Sequence, residues 1–583
     1  MTKKLLFAVI IIITIYAACK KDGGSGPMIV RDNNTWLLYE DHFLESLWKL
    51  DPDAATQNGF HKYDSLLVIP TEKNRQAMLN FVRLQNDSIS RFDPSQLSDL
   101  NRIDYQIMQS KLESITWEIT VLKQYEWDPS SYNVIGTFAY MLNEHYAPLA
   151  KRLRNFYERM ENIPAYYKQV QKELKNPVQE LADLAIQQHE NGLNVMEKDF
   201  ADSLKKSNIP AADQKKMLDR AHLAVDAIKG YTAWLKTMKN DKPRSFRLGK
   251  DFYEDKFKYE VQASANASQT TNAATERKKF IHREMAKITK QLWPKYFGKR
   301  AIPADSLTAI AKLIDTIATK HVKPADLQTA IEAQIPKLVN FVKSKDLLTL
   351  DPARPLVVRK KPGYMSGVAL ASMSPPGPYD KTGNYYFDVE SLAGMPAEKT
   401  ESLLREYNQY TLQLLCIHEG VPGHYVQAVY ALKSPSLIKS IFGSTAMEEG
   451  WAVYTEQMML ENGYNDDPEM KLMWYKWHLR SVCNAILDYN VHTRDMTKEQ
   501  AIKFLTTEAF QEQAEAEGKW RRVSVTSVQL DSYYAGYKEI MDLRDAYKAK
   551  MGDKYKLKDF NEKFLSYGNA PVKYIKAAML GIK

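Results

Sequence analysis

The sequence predicts a mainly α-helical protein with one small β-sheet packed beside a helix. Three observations lead there. Across residues 36–345 apolar side chains recur at three- and four-residue spacing with charged residues between them, which is the period of amphipathic helices. No repeat at a solenoid period is present, so the helices are expected to form one compact body. Residues 351–395 differ: they are rich in Pro, Gly and Tyr, and Asn384-Tyr385-Tyr386-Phe387-Asp388-Val389 reads as a strand after the turn Pro375-Pro376-Gly377-Pro378.

Taken in chain order, the first 19 residues read as a leader. Lys3-Lys4 precede an apolar run to Ile13, and Ala17-Ala18 stand before Cys19. This resembles a bacterial lipoprotein signal in which Cys19 becomes the lipidated first residue. Tyr16 departs from the Leu-like residue usual there, so an ordinary secretory signal or an uncleaved anchor is the alternative. The apolar run is short for a transmembrane helix. Residues 20–35, with Gly23-Gly24-Ser25-Gly26-Pro27, form a flexible tether. These features place the protein in the cell envelope, exported and membrane-bound through a lipid anchor only. Residues 36–345 follow as an N-terminal helical region, with helices expected over 37–50, 102–122, 148–160, 164–174, 177–204 and 275–292. Residues 346–583 carry the chemistry-bearing motifs and pack with that region as one unit. Within them a helix over 396–417 is expected to deliver His418, a second to open at Ser434-Pro435, and a third to open with Thr445-Ala446-Met447-Glu448 as a capping box.

Composition narrows the partners. The net charge of +9 is the difference between 80 basic and 71 acidic residues spread along the chain, so no nucleic-acid stripe is present. The short clusters Arg359-Lys360-Lys361 and Arg277-Lys278-Lys279 read as solvated faces. Beyond Cys19 only Cys416 and Cys483 remain, which excludes a disulfide scaffold and favours two buried unpaired thiols. Oligomeric state is not legible.

One segment narrows the chemistry further than any other. His418-Glu419-Gly420-Val421-Pro422-Gly423-His424 places two of the chain's 11 histidines and a carboxylate within seven residues. Two imidazoles supply nitrogen ligands to a metal such as Zn²⁺, and a Glu beside the first is placed to activate water. The usual spacing is four, which returns both histidines to one helical face. Six residues swing about 120° away, so an undistorted helix cannot make the site. Two arrangements remain open. Gly420, Pro422 and Gly423 could loop out so that His424 returns to His418, or a helix could end at Gly420 with His424 opening the next one and no metal bound. A third ligand would come from a carboxylate on the helix after Thr445. Glu448 and Glu449 point about 100° apart; with Glu448 spent on the cap, Glu449 is the better ligand. Glu456, two turns on, could orient a ligand histidine from behind.

These motifs resemble the DUF885 family of bacterial proteins, which look like zincin metallopeptidases of the gluzincin type. The resemblance rests on the His418 to His424 segment with its Pro-Gly before the second His, and on Glu449-Gly450-Trp451-Ala452-Val453-Tyr454-Thr455-Glu456. It extends from Leu50-Asp51-Pro52-Asp53-Ala54-Ala55-Thr56 to the C-terminus. It implies a zincin-like helical metallopeptidase fold, one zinc ion on His418, His424 and Glu449, and Glu419 as general base; such ligands also suit other divalent ions. Asp488-Tyr489-Asn490-Val491-His492 resembles a family segment ending near the active site. Arg522, Gln529, Tyr533 and Gly536 fall at the spacing of a further family pattern, with Ser527-Val528 here in place of Pro-Gly. Tyr533, His492 and Arg522 are the candidate donors to a developing oxyanion. The expected reaction is hydrolysis of peptide bonds, of short peptides in a deep channel. Two rivals remain: a lipoprotein that binds a peptide or glycan without turning it over, and a metal hydrolase of a non-peptide amide or ester of the envelope. Intact Glu419 speaks against the first.

Overall fold

The computed structural model describes residues 32–238, 240, 242–361, 370–380 and 383–582. The leader with Cys19, and the tether through Arg31, lie outside the described residues. Helix α1 (Asn33–Leu50) opens where Asp32 accepts the amides of Asn34 and Thr35, so the folded body starts before residue 36. It buries Trp36, Phe43, Leu44, Leu47 and Trp48, at three- and four-residue spacing.

The helices expected within residues 36–345 are present with two interruptions. The 102–122 stretch is helix α2 (Asp99–Trp117) followed by a π turn over Glu118–Leu122. The 177–204 stretch breaks into Gln179–Gly192, a π turn at Val195–Asp199 and Phe200–Lys205. Such turns insert a residue without ending the apolar period, so periodicity could not register them. Helix α3 (Ala211–Thr237) and helix α4 (Ala267–Phe297) are the longest; α4 outruns its expected 275–292 because Asn266 and Gln269 form a reciprocal capping box upstream. Helix α5 (Leu327–Ser344) closes this half.

Three apolar cores result. The largest draws on α1, α2, α4, α5 and nearly everything after Leu347. A second lies within residues 132–235, joined by Leu67, and a third, smaller one links residues 117–127 and 248–267 to Ala446, Tyr489, Val528 and Ala535. No core boundary falls at 345/346.

The sheet has strands β1 (Leu356–Lys360), β2 (Ala371–Ser374) and β3 (Tyr385–Val389) in the order β1-β3-β2, with β1 parallel and β2 antiparallel to β3. The sequence-read strand is therefore the central one, and β1 and β2 are the two edges. The basic clusters are not solvated faces throughout: Arg359 pairs with buried Asp388 at 2.6 Å, Lys361 is buried, and Arg277 bonds the Tyr537 hydroxyl at 3.1 Å.

The 396–417 helix is two helices. Ala397–Glu406 ends at Tyr407, and helix α6 (Thr411–Glu419) starts afresh because Asn408 Oδ1 accepts the amides of Tyr410 and Thr411. Helix α7 (His424–Ala431) follows; the next helix is Leu437–Ile441, capped by Ser436 and not Ser434. Helix α8 (Thr445–Glu461) is capped by Ser444, which accepts the amide of Met447, so no capping box involves Glu448. Helices α9 (Pro468–Thr493), α10 (Gln513–Val525) and α11 (Asp531–Met551) surround it. Helices α8 and α11 meet backbone to backbone: a Cβ on Gly536 would lie 1.6 Å from the Ala446 carbonyl oxygen. Cys416 and Cys483 are buried and unpaired.

Candidate metal centre

The chain leaves α6 immediately after the first histidine and enters α7 at the second. Gly420 through Gly423 form the link, and the Val421–Pro422 bond is cis. The Gly423 amide donates back to Ile417 O at 2.9 Å, and a Cβ there would sit 1.9 Å from the His418 carbonyl oxygen, a contact that only glycine avoids. The indole of Trp451 on α8 donates to the Pro422 carbonyl at 3.0 Å and clasps the link. The two arrangements left open by the sequence are combined. A helix ends at the first histidine and another starts at the second, yet the link is so tight that the two imidazoles face each other, with centroids 4.8 Å apart.

Glu449 joins them. One ligand atom each from His418, His424 and Glu449 lie within 4.8 Å of one another. Glu449 Oε2 is 3.4 Å from His418 Nε2 and 3.3 Å from His424 Nε2. That oxygen is buried and has no hydrogen-bond partner among the described residues, so two nitrogens and an orphaned carboxylate oxygen converge on one point. This donor set and its closeness fit a divalent ion with an open position. The far side of His418 is held as well: Nδ1 lies 2.7 Å from Glu456 Oε1, which also accepts the Trp477 indole at 2.9 Å. The carboxylate fixes the tautomer and ring plane of the imidazole.

The charges are strongly coupled. Burial works against a charged His418, but Glu449 and Glu456 outweigh it and raise its pKa to about 10. Burial alone would raise Glu449, yet its two histidines hold it well below the carboxylate range. Its neighbour Glu448 is pushed up to about 7, chiefly by burial, and bonds Asn569 instead of capping its helix.

Glu419 points out of this cluster to the sheet. Its Oε2 accepts the amide of Met373 on edge strand β2 at 2.9 Å. On the other side, Arg522 Nη2 bonds Gln529 Oε1 at 2.5 Å and reaches the Tyr533 hydroxyl at 3.3 Å. Burial first, then the Glu449 carboxylate, push Tyr533 up to about 12, so its hydroxyl keeps its proton at neutral pH. Arg522, Gln529 and Tyr533 are thus brought to the triad.

His492 is not, and its expected role as an oxyanion donor is corrected. It is 2% exposed, its Nε2 lies 2.9 and 3.0 Å from the carbonyls of Val523 and Thr526, and burial lowers its pKa to about 4. It ties α9 to the end of α10. Asp488, one turn before it, accepts the amides of Val528 and Leu530 and shapes the turn that leads to Tyr533. Met373 and Trp477 complete the surroundings and carry no local signal in the sequence, because a strand's register and a helix's facing residue are set by tertiary packing.

The comparisons agree with this architecture. A model of DUF885, described as a bacterial protein of unknown function, matches residues 52–579. The structure of a protein from Shewanella oneidensis, called a putative lipoprotein of unknown function, is 47% identical with a TM-score of 0.86, covering 94% of this chain and 99% of that one. The crystal structure of a putative lipoprotein from Colwellia psychrerythraea, 17% identical, superposes with a TM-score of 0.75 over 94% of this chain and 98% of that one, a likeness of fold. No curated protein matches. Among the described residues no helix is long and apolar enough to cross a membrane. With its model spanning most of the sequence and a relative close to half identical, the chain belongs to the DUF885 family.

Proposed function

We propose that this protein is a metal-dependent hydrolase of peptide bonds, acting on short peptides in the bacterial cell envelope. The observation that carries the reading is the orphaned Oε2 of Glu449 facing the Nε2 atoms of His418 and His424, beside a carboxylate, Glu419, that takes no part in the cluster. The same reading assigns the chain a zincin-like fold of the gluzincin type. A divalent ion held by those three side chains, zinc by ligand type, would supply Lewis-acid chemistry, polarising a carbonyl and acidifying water.

Glu419 then acts as general base, taking the proton of the attacking water and delivering it to the leaving amine. Its bond to the Met373 amide fixes one oxygen and leaves the other for that proton. Tyr533, protonated at neutral pH and held by a hydrogen bond from Arg522, donates toward the charge that develops on the carbonyl oxygen. Edge strand β2 offers backbone groups to an extended peptide, in the manner of β-augmentation. Lipidation of Cys19 would hold the protein at the membrane, in keeping with the leader and with the description of its 47% identical relative.

Elemental analysis of the wild type should find one divalent ion per chain, and His424→Ala should lose it; equal metal in both would sink the ligand set. Glu419→Gln should keep the ion while peptide turnover falls by about 10²- to 10⁴-fold. Unchanged turnover would remove Glu419 from the mechanism.

A further inference from the structure

Beside the candidate metal centre two cations, Lys519 buried and Arg522 part-buried, form no ion pair among the described residues. Lys519 is 6% exposed, and its ammonium bonds Asn484 Oδ1 at 2.8 Å. Arg522, one turn further along α10 and therefore on the same face, bonds Gln529 and Tyr533. All three partners are neutral. Of the nearby carboxylates, Glu406 takes Lys476 at 2.6 Å and Arg480 at 2.9 Å, Glu515 takes Arg480 at 2.9 Å, and Glu449, whose charge reaches Arg522, faces the two histidines. Among the described residues neither Lys519 nor Arg522 forms an ion pair. A buried charge is ordinarily paired, so two neighbouring cationic side chains that no carboxylate of the chain bonds directly are suited to an anion that arrives from outside. The strain is visible in Lys519, whose pKa burial and then the Arg480 guanidinium bring down to about 7.

The placement says what the anion is attached to. Tyr533 connects the two regions, since it feels the charge of Glu449 and stands 3.3 Å from Arg522. Asn484, which anchors Lys519, lies seven residues after Trp477, which braces Glu456. The two share one face of α9 about 10 Å apart. An extended peptide advances roughly 3.3 Å per residue. A group bound by Lys519 and Arg522 is therefore only a few residues from a bond at the triad.

We infer that Lys519 and Arg522 receive a carboxylate of the substrate within a few residues of the bond to be broken, its free C-terminus or an acidic side chain. This rests on the peptidase reading for its substrate, but binding can be measured without turnover. The carboxylate would form charge-assisted hydrogen bonds to the ammonium and the guanidinium, the contacts that neutral Asn484, Gln529 and Tyr533 only partly provide.

Three neutral-sequence pentapeptides test it: one with a free C-terminus, one amidated, and one amidated with an internal Asp. Affinities are measured by calorimetry on metal-loaded Glu419→Gln protein, and cleavage on the wild type. A peptide bearing a carboxylate should bind about 10- to 100-fold more tightly than the neutral amide. Preference for the free acid assigns the C-terminus, and preference for the Asp peptide assigns a side chain. Lys519→Met in both backgrounds should erase the preference and, by removing an unpaired buried charge, melt no lower than its parent. A structural role for Lys519 would instead lower the melting point and leave the ratio between peptides intact. Equal affinity of the parent for all three peptides, or a preference that survives Lys519→Met, overturns the inference. If the affinities rank as expected while no peptide is cleaved, the hydrolase reading fails and the carboxylate site stands.

Discussion

Val528 holds φ at 71°, in the left-handed region, although a β-branched residue resists it by roughly 1–2 kcal/mol. It stands where the family pattern has the Gly of Pro-Gly, which needs no such strain, and Asp488 pins its amide there. Val528→Ala removes two buried methyls and keeps the strain, whereas Val528→Gly removes one more carbon and releases it. The Gly variant should therefore melt at or above the Ala variant, reversing the ordinary order, in which Gly is worse by roughly 0.5–1 kcal/mol. A lower melting point for Val528→Gly would show that the turn is unstrained. Legibility at this scale followed locality. His418, His424, Glu449 and Glu456 were readable because motif and helical spacing encode them. Met373, Trp477 and Lys519 were not, since each matters only through a partner far away in the chain. His492 misled because its segment resembles one that ends near the active site in the family, while its surroundings make it a core residue with two carbonyl partners.

Helices were visible as amphipathic periods, but their ends were not. The break between Glu406 and Thr411 depends on the Asn408 side chain bonding two amides, and an unbroken apolar stripe conceals it. The α8–α11 contact is the element on which Glu449 depends. Gly536→Ala would drive a methyl into the Ala446 carbonyl, and we expect a loss of roughly 3 kcal/mol together with weakened metal binding, because Glu449 lies one turn beyond Ala446. Gly230→Ala, in α3 with nothing within 4 Å of its Cβ, should instead stabilise by about 1 kcal/mol. Thermal melts of the pair check both, and a neutral Gly536→Ala would mean the two helices can slide apart freely.

The molecule as a whole rests on several cores, and the second has its own acid response. His189 there is fully buried between the Tyr167 hydroxyl at 2.8 Å and the Ala185 carbonyl at 2.6 Å. Burial lowers its pKa from 6.5 to about 4. The folded state therefore holds fewer protons than the unfolded one in this window. The stability it contributes is present above about pH 6.5 and is lost as pH falls toward about 4. Relative to His189→Gln, the wild type should lose about 2 kcal/mol of unfolding free energy between pH 7 and pH 5. Denaturant titrations at the two pH values measure the difference, and a constant gap would contradict a neutral buried His189.

Helix α8 supplies the acidic ligand at Glu449, the clasp on the glycine link at Trp451 and the brace behind His418 at Glu456. Those three functions occupy about 10 Å of a single rod. They cannot fail one at a time by any movement of that rod. A displacement of α8 would take the carboxylate, the grip on Pro422 and the tautomer-fixing oxygen away together. The centre should accordingly behave as a two-position latch, fully assembled or fully released, with no stable state in which only one histidine has lost its carboxylate partner.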